Sequence, residues 1–479
     1  MDVKENKKIL TLLVFLIVLF LSLILYLSYF TVFKASKIID NPANRRDVLK
    51  VAEIKRGSIS DRNGEVLAYS DGEKYKYQRH YPYPTIYSHL VGYSSKVRGN
   101  SGIESSYNKY LLGREGSNTL KAIRAFFDKR IEVNAGNNLI LTTDTNIQQR
   151  SRDLLDELGE KGAIVVMKPK TGEILSLVSY PDFNVESIDK DYAAIVERNE
   201  GAFFNNAIQG LYTPGSTMKI VTAASIIESG INQDYTDIGE EKLGGYPIKN
   251  SKNMVYGDIN LMEAFTFSVN TYFANKAIGV GKDKFGETAE KFMFNKKIQF
   301  DLNTTTTELA ISKCKYKDWD NQALASAGIG QADIGATPLE MCMVASAVAN
   351  EGKMMKPYLV SKVTNNAGNT ILENKPEVLS EAMKVETANQ IREMMINVVN
   401  KGSGKSAALR NVQVAGKTGT AQRSVEKSIN NAWFIGFAPA EDPQIAVAIV
   451  IQNVDQLGGE VAAPMAQEII NYSLSQLNK

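Results

Sequence analysis

The chain has 479 residues, too many for one ordinary core and about right for two or three domains. Hydrophobic content of 44%, charged content of 23% and a net charge of +2 describe a globular protein without a nucleic-acid field, so no nucleic-acid partner is expected. There are two histidines, His80 and His89, both early in the chain; they are too few for a multi-histidine zinc site and supply no base near a later nucleophile, so neither a metal nor a cofactor is expected.

Ile9 to Phe33 carries no charge and exceeds the roughly 20 residues that span a bilayer. Its bulky end, LYLSYFTVF, lacks a small-residue cleavage site, so residues 9–33 read as an uncleaved anchor after a short tail, 1–8. Lys4, Lys7 and Lys8 before it and Lys34, Lys37, Arg45 and Arg46 after it do not fix its orientation.

Residues 34–150 read as a strand-rich first domain. RGSISDRNGEVLAYS holds two strands about an Asn63-Gly64 hairpin turn, and NNLILTTDTNIQQ leads from a strand into a helix near Thr145. Arg56, Asp61 and Arg62 read as a solvated turn with local ion pairs, Glu104 as a structural residue, and YKYQRHYPYPTIYSHL as a half-buried strand pair.

Residues 151–479 form the second domain. GAIVVMKPKTGEILSLVSY is a strand, a turn and a strand; Lys170-Thr171-Gly172 falls in the turn. Helical stretches follow in STMKIVTAASIIESG, GDINLMEAFTFSVNTYFANKAIG and TPLEMCMVASAVANEG, with stops expected at Gly230 and Gly352. NAWFIGFAPA and QIAVAIVIQ are late strands, and a last helix starts near Ala462. The fold class is α+β and multidomain, with helices packed on an antiparallel sheet. Cys314 and Cys342 fit no metal or redox spacing and read as buried small hydrophobes, a disulfide between them being the alternative.

Chemistry without histidine is available at Ser216 and Lys219, one helical turn apart. Thr213-Pro214-Gly215 places Ser216 near a helix start, where its N–H is free for an oxyanion. The residues that follow are apolar nearly all round, so the helix is buried and Lys219 loses basicity, more so beside a second lysine. Ser-x-x-Lys also occurs at Ser106, Ser187, Ser312 and Ser424, but without that entry or that helix. Ser268-Val269-Asn270 offers a hydroxyl relay and an amide, a spacing repeated at Ser106, Ser251 and Ser428. Lys417-Thr418-Gly419-Thr420 lies in a strand-like VQVAGKTGTAQ. There Gly416 and Gly419 let a substrate backbone approach, Lys417 and the hydroxyls suit a carboxylate, and Thr420 N–H is a second oxyanion donor.

In the order Ser216, Ser268, Lys417 these motifs match the signature of penicillin-binding proteins and β-lactamases. YTPGSTMKIVTAASIIESG, ASAGIGQADIGATPLEMCMVASAVANEGKMMKP, WFIGFAP, RGSISDRNG and SGIESSYNKYLLG together resemble a class B penicillin-binding protein, and SHLVGY with SGIESSYN resembles the penicillin-binding protein A type. The resemblance implies a pedestal domain at 34–150 and a serine-β-lactamase-like transpeptidase domain at 151–479. It implies a peptidoglycan D,D-transpeptidase: Ser216 is acylated by stem peptides ending in D-Ala-D-Ala, an amine of a neighbouring stem resolves the acyl-enzyme, and β-lactams trap it. Ser216, Lys219, Ser268, Asn270 and Lys417 would be catalytic, Thr418, Gly419 and Thr420 would bind substrate, and the Ser216 and Thr420 N–H groups would form the oxyanion hole. The catalytic domain would lie outside the cell membrane, with other cell-wall proteins as partners. A hydrolytic β-lactamase or carboxypeptidase is the rival, but neither Glu290 to Asn295 nor Glu308-Leu309 matches a deacylation loop. A penicillin sensor is the other, and the eight residues before the span leave no room for a signalling module.

Overall fold

The computed structural model describes residues 3–30, 53–115, 134–243, 246–302, 309–424 and 429–478, with single positions between 116 and 133. The chain divides into two compact units. The first is Met1–Lys55 with Asp71–Gln78. It contains helix α1 (Val3–Tyr29), whose Leu10–Leu27 stretch has a mean hydropathy of 3.0 and is not buried, so it is long and apolar enough to cross a membrane. The end of the expected anchor, 31–33, and the basic residues Lys34 to Arg46 lie outside the described residues.

The second unit is Arg56–Ser70 with Arg79–Lys479. Its early part is built on β1 (Ile59–Ser60), β2 (Val66–Asp71), β3 (Gln78–His80) and β4 (Asn138–Leu141). β1 and β2 form the expected hairpin, and Gly64 takes φ +87°, which the Asn-Gly turn requires. Two readings of this region change. Asp61 is 1% exposed: it accepts from the N–H groups of Asn63 and Glu65 and from Thr145 N and Oγ1, joining the hairpin to the start of helix α2 (Thr145–Leu158). Arg56 is likewise no solvated residue, since it and Arg79 grip the fully buried Glu104 at 2.5 and 2.7 Å, which bears out the structural reading of Glu104. The tyrosine-rich run is mostly turn, with Gln78–His80 its strand; Ser88 N–H donates to Thr85 O and the N–H groups of Leu90 and Val91 to Tyr87 O, so its backbone closes on itself instead of pairing in a ladder.

The later part is organised by an antiparallel five-stranded sheet in the order β9-β10-β11-β5-β6. β5 (Gly162–Met167) and β6 (Ile174–Tyr180) form the early hairpin, and Lys170-Thr171-Gly172 is its surface turn, with Lys170 paired to Asp442. β9 (Ala415–Ser424), β10 (Ile429–Ala438) and β11 (Ile445–Val454) come from the C-terminal end. Both faces are covered. Ile164, Val166, Val447 and Ile449 pack with α2 and helix α8 (Ala462–Leu477). Ala163, Val165, Ala448 and Val450 face the other core, where α6 (Pro338–Ala349) packs on the sheet and α7 (Val385–Asn400) on β9, with α3 (Lys219–Ser229) and α5 (Asn270–Val280) in the same core beyond them. That is why these strands read as unbroken apolar runs.

Strands β7 (Val360–Thr364) and β8 (Thr370–Glu373) leave this layer and extend the early sheet, giving the order β8-β7-β4-β1-β2-β3. The early sheet therefore draws strands from both sides of residue 150. Gly230 stops α3 in the left-handed region, as expected. Gly352 does not cap α6, which ends at Ala349 with Asn350 as its cap; Gly352 serves the following turn at φ +87°. Cys314 and Cys342 are buried free thiols.

Candidate active site

Ser216 stands in a 3-10 turn, Gly215–Met218, that feeds directly into α3. The turn is wedged in place. Gly215 N–H donates to Gly330 O at 2.9 Å, a Cβ on Gly330 would lie 1.9 Å from Gly215 O, and one on Gly215 would lie 2.8 Å from Thr420 O. Trp433 Nε1 of β10 donates to Thr213 O at 3.1 Å and holds the approach. At the start of a helix the Ser216 N–H has no intrahelical acceptor, and the Thr420 peptide lies alongside.

GDINLMEAFTFSVNTYFANKAIG reads as one helical stretch but forms two helices, α4 (Leu261–Phe267) and α5. The break is Ser268, the cap residue of α4, at φ 59° and ψ 43°. A non-glycine residue there costs about 1 kcal/mol or more, and such conformations persist where the surroundings hold them. Here the kink turns the serine hydroxyl toward two lysines. Lys219 Nζ lies 3.1 Å from Ser268 Oγ, 2.8 Å from Ser268 O and 2.7 Å from Asn270 Oδ1. Lys417 Nζ, from β9, lies 2.9 Å from the same Ser268 Oγ and 3.2 Å from Thr418 O. The distant motifs are thus brought together around one hydroxyl.

Both lysines are fully buried, and among the described residues no carboxylate is a hydrogen-bond partner of either amine. Burial, and then the nearby Lys417 charge, push the Lys219 amine well below its ordinary value. Burial brings Lys417 down to about 7. Each amine nitrogen also lies over an aromatic ring, Phe273 at 5.3 Å from Lys219 and Phe265 at 5.7 Å from Lys417.

Above them opens a cleft of about 630 Å³, lined by Ser216, Ser268, Asn270, Thr418, Gly419 and Thr420. Two expectations about it are refined. Lys417 is not part of the lining; its charge acts from beneath, while Thr418, Thr420 and Ser403, whose Oγ is 2.5 Å from Thr418 Oγ1, present the hydroxyls. Gly419 lines the cleft and Gly416 does not; a Cβ on Gly416 would strike the Phe434 ring at 2.3 Å, and one on Gly419 would meet Pro214 O at 2.8 Å. They are glycines because the protein packs there. Sequence reasoning missed other parts of the walls, among them Lys249, Ser251, Lys252, Met254, Tyr256 and Phe267, and Leu457, Gly459 and Glu460. Ser251 and Lys252 fall in one of the repeated Ser-x-Asn copies, Ser251 to Asn253; for the others only proximity in space marks them. The other Ser-x-x-Lys copies and Glu290 and Asn295 do not line the cleft; Glu308 and Lys427 lie outside the described residues.

The sequence matches the penicillin-binding protein transpeptidase domain over residues 162–471. The chain belongs to the penicillin-binding protein transpeptidase family. Residues 56–139 match the penicillin-binding protein A dimerisation domain, which makes the chain a class B penicillin-binding protein of the A type. Among its relatives, peptidoglycan D,D-transpeptidase PbpA of Mycobacterium tuberculosis is 30% identical over 477 residues, covering 92% of this chain and 94% of the relative. The D,D-transpeptidase domain of a peptidoglycan glycosyltransferase from Eggerthella lenta superimposes with a TM-score of 0.78 at 36% identity, covering 89% of this chain and 99% of that one. Penicillin-binding protein A of M. tuberculosis, in its ceftriaxone acyl-enzyme complex, gives a TM-score of 0.80 at 28% identity, over 89% of this chain and all of the other. This penicillin-binding protein therefore shares with them its mixed fold of helices on an antiparallel sheet.

Proposed function

We propose that this protein is a membrane-anchored peptidoglycan D,D-transpeptidase that works through a Ser216 acyl-enzyme and is inhibited by covalent β-lactam binding. The observation that carries the reading is the Ser268 hydroxyl held between the Lys219 and Lys417 amines beneath a cleft that Ser216 lines. Transpeptidase relatives and β-lactam acyl-enzyme structures of the same fold support it.

In this reading the C-terminal carboxylate of a D-Ala-D-Ala stem rests against the hydroxyls of Thr418, Thr420 and Ser403, over the Lys417 charge. The penultimate carbonyl oxygen points at the Ser216 and Thr420 N–H groups. Ser216 Oγ bonds to that carbonyl carbon and its proton passes to Lys219, whose amine burial and then the nearby Lys417 charge hold well below its ordinary value, favouring the neutral form that can accept it. The tetrahedral carbon then expels the terminal D-Ala, whose nitrogen takes up a proton through Ser268, leaving an ester on Ser216. A neighbouring stem's amine attacks the ester, forms the cross-link and returns the proton to Ser216. Asn270 holds Lys219 in line. A β-lactam follows the first half of this path and stops there.

The substrate lies outside the cytoplasmic membrane, so α1 is a single-pass anchor with the second unit on the outer side, where other cell-wall synthesis proteins are its partners. The test is mass spectrometry after incubation with a fluorescent penicillin, followed by digestion. The adduct is expected on the peptide containing Ser216, with loss of labelling in Ser216→Ala; undiminished labelling in that variant would refute the assignment.

A further inference from the structure

One wall of the cleft is tied to the catalytic groups by a buried carboxylate that none of the three motifs contains. Asp237 is 1% exposed and ends a short strand, Tyr235–Asp237, paired with Gly257–Ile259. Its Oδ1 accepts from Thr271 Oγ1 at 2.7 Å, Gly239 N–H at 3.0 Å and Asn250 Nδ2 at 3.0 Å. Its Oδ2 accepts from Tyr256 N–H at 2.8 Å and Asn250 Nδ2 at 2.9 Å. Burial alone would raise the carboxyl's pKa, but these donors outweigh it and hold Asp237 below its ordinary value.

The bonds run on in one direction. Asn250 turns its Oδ1 to Thr271 N–H at 3.1 Å, fixing the wall to the first turn of α5. The residue before it, Lys249, accepts from Asn270 Nδ2 through its carbonyl at 3.0 Å. That bond decides which way the Asn270 amide faces: with the nitrogen on Lys249 O, the oxygen must meet Lys219 Nζ, which it does at 2.7 Å. Were the wall to shift, the amide would be free to turn and would offer Lys219 a donor in place of an acceptor.

We propose that Asp237 is a positioning residue for acylation, acting through Asn250 and Lys249 O to set the Asn270 amide against Lys219. The proposal rests on the transpeptidase reading, because it assigns Lys219 the proton transfer. The charged group acting on Lys219 from a neighbouring element is Lys417 on β9, and Asp237 reaches Lys219 only through the amides.

The test uses the full-length protein in detergent and follows the second-order rate of acylation by a fluorescent penicillin across pH. Thr271→Val removes one donor from Asp237 while keeping the side chain's shape. It is expected to lower the rate about tenfold, since small misplacements of a catalytic group weigh heavily. It should also move the midpoint of the acid limb to lower pH, because Asn270 no longer offers its oxygen to the ammonium form. Thr271→Ser, which keeps the hydroxyl, should restore both rate and midpoint. Asp237→Asn, where it folds, should lose more than Thr271→Val. An unchanged rate in Thr271→Val would overturn the proposal, and so would a fall with an unmoved midpoint that tracks the folded fraction. Ser216→Ala, run beside them, separates the two levels: labelling that persists there defeats the transpeptidase reading itself, whereas labelling that vanishes there but stays normal in the Thr271 and Asp237 variants defeats the positioning role alone.

Discussion

Replacing Lys417 by methionine keeps most of the side chain's bulk and removes its amine, and the burial of that amine sets the size of the effect. In the folded protein Lys417 titrates at about 7 rather than 10.5. Between those values the unfolded chain binds a proton that the folded one does not, so the stability of the wild-type protein rises with pH across that window. The full swing is on the order of 5 kcal/mol. The variant lacks this term. Below pH 7 it gains stability relative to the wild type, offset by the lost bonds to Ser268 and Thr418 at about 1 kcal/mol each. Above pH 10.5 the gain disappears. Removing the Lys417 charge also relieves Lys219, whose amine should regain basicity and so widen the difference at neutral pH. Denaturant unfolding of both proteins in detergent, from pH 6 to 10.5, measures the divergence, and penicillin labelling should fall in the variant throughout. Parallel stability curves would mean that Lys417 keeps its proton in the folded state right up to its ordinary value of 10.5, and the reasoning from burial would fail.

Lys219→Ala should slow acylation by about 10² to 10⁴, the usual loss on removing a catalytic base; stopped-flow labelling that finds a near-normal rate would point to another base. Gly330→Ala places a Cβ 1.9 Å from Gly215 O at a residue with φ +75°, so the Ser216 turn must move. Its expected cost is about 1–3 kcal/mol of stability together with a fall in labelling rate, read by thermal unfolding and gel fluorescence. Glu104→Gln leaves Arg56 and Arg79 without a counter-charge in a buried site, which should destabilise the early sheet by about 3–5 kcal/mol; limited proteolysis that cuts residues 56–115 no faster than in wild type would contradict it.

The three motifs and their order were legible from residue type and spacing, because proton transfer without histidine leaves few alternatives to a serine beside a buried lysine. Strand positions were legible too: Ala163 to Met167 and Ile445 to Ile451 are apolar at every residue, as a sheet covered on both faces demands. The kink at Ser268 was not. Phe267, Val269 and Tyr272 continue a helical pattern, and the bend is held by two lysines remote in sequence. Asp61 and Arg56 were misread for a related reason. Charged residues beside an Asn-Gly turn look solvated until Thr145 and Glu104 are seen to close over them. The reason for the glycines at 416 and 419 was equally hidden, since it lies in the Phe434 ring and the Pro214 carbonyl.

The order β9-β10-β11-β5-β6 has a consequence for how the chain must assemble. The hairpin made first, Gly162–Tyr180, can complete its ladder only with Ile445–Val454, which is made near the end. A chain emerging from its amino terminus therefore carries an unpaired apolar edge for most of its synthesis, a sticky condition that favours slow, late collapse and contact with folding helpers. Lys417 arrives two strands further out, on β9, which joins the sheet through β10, so the working site needs all three late strands in place.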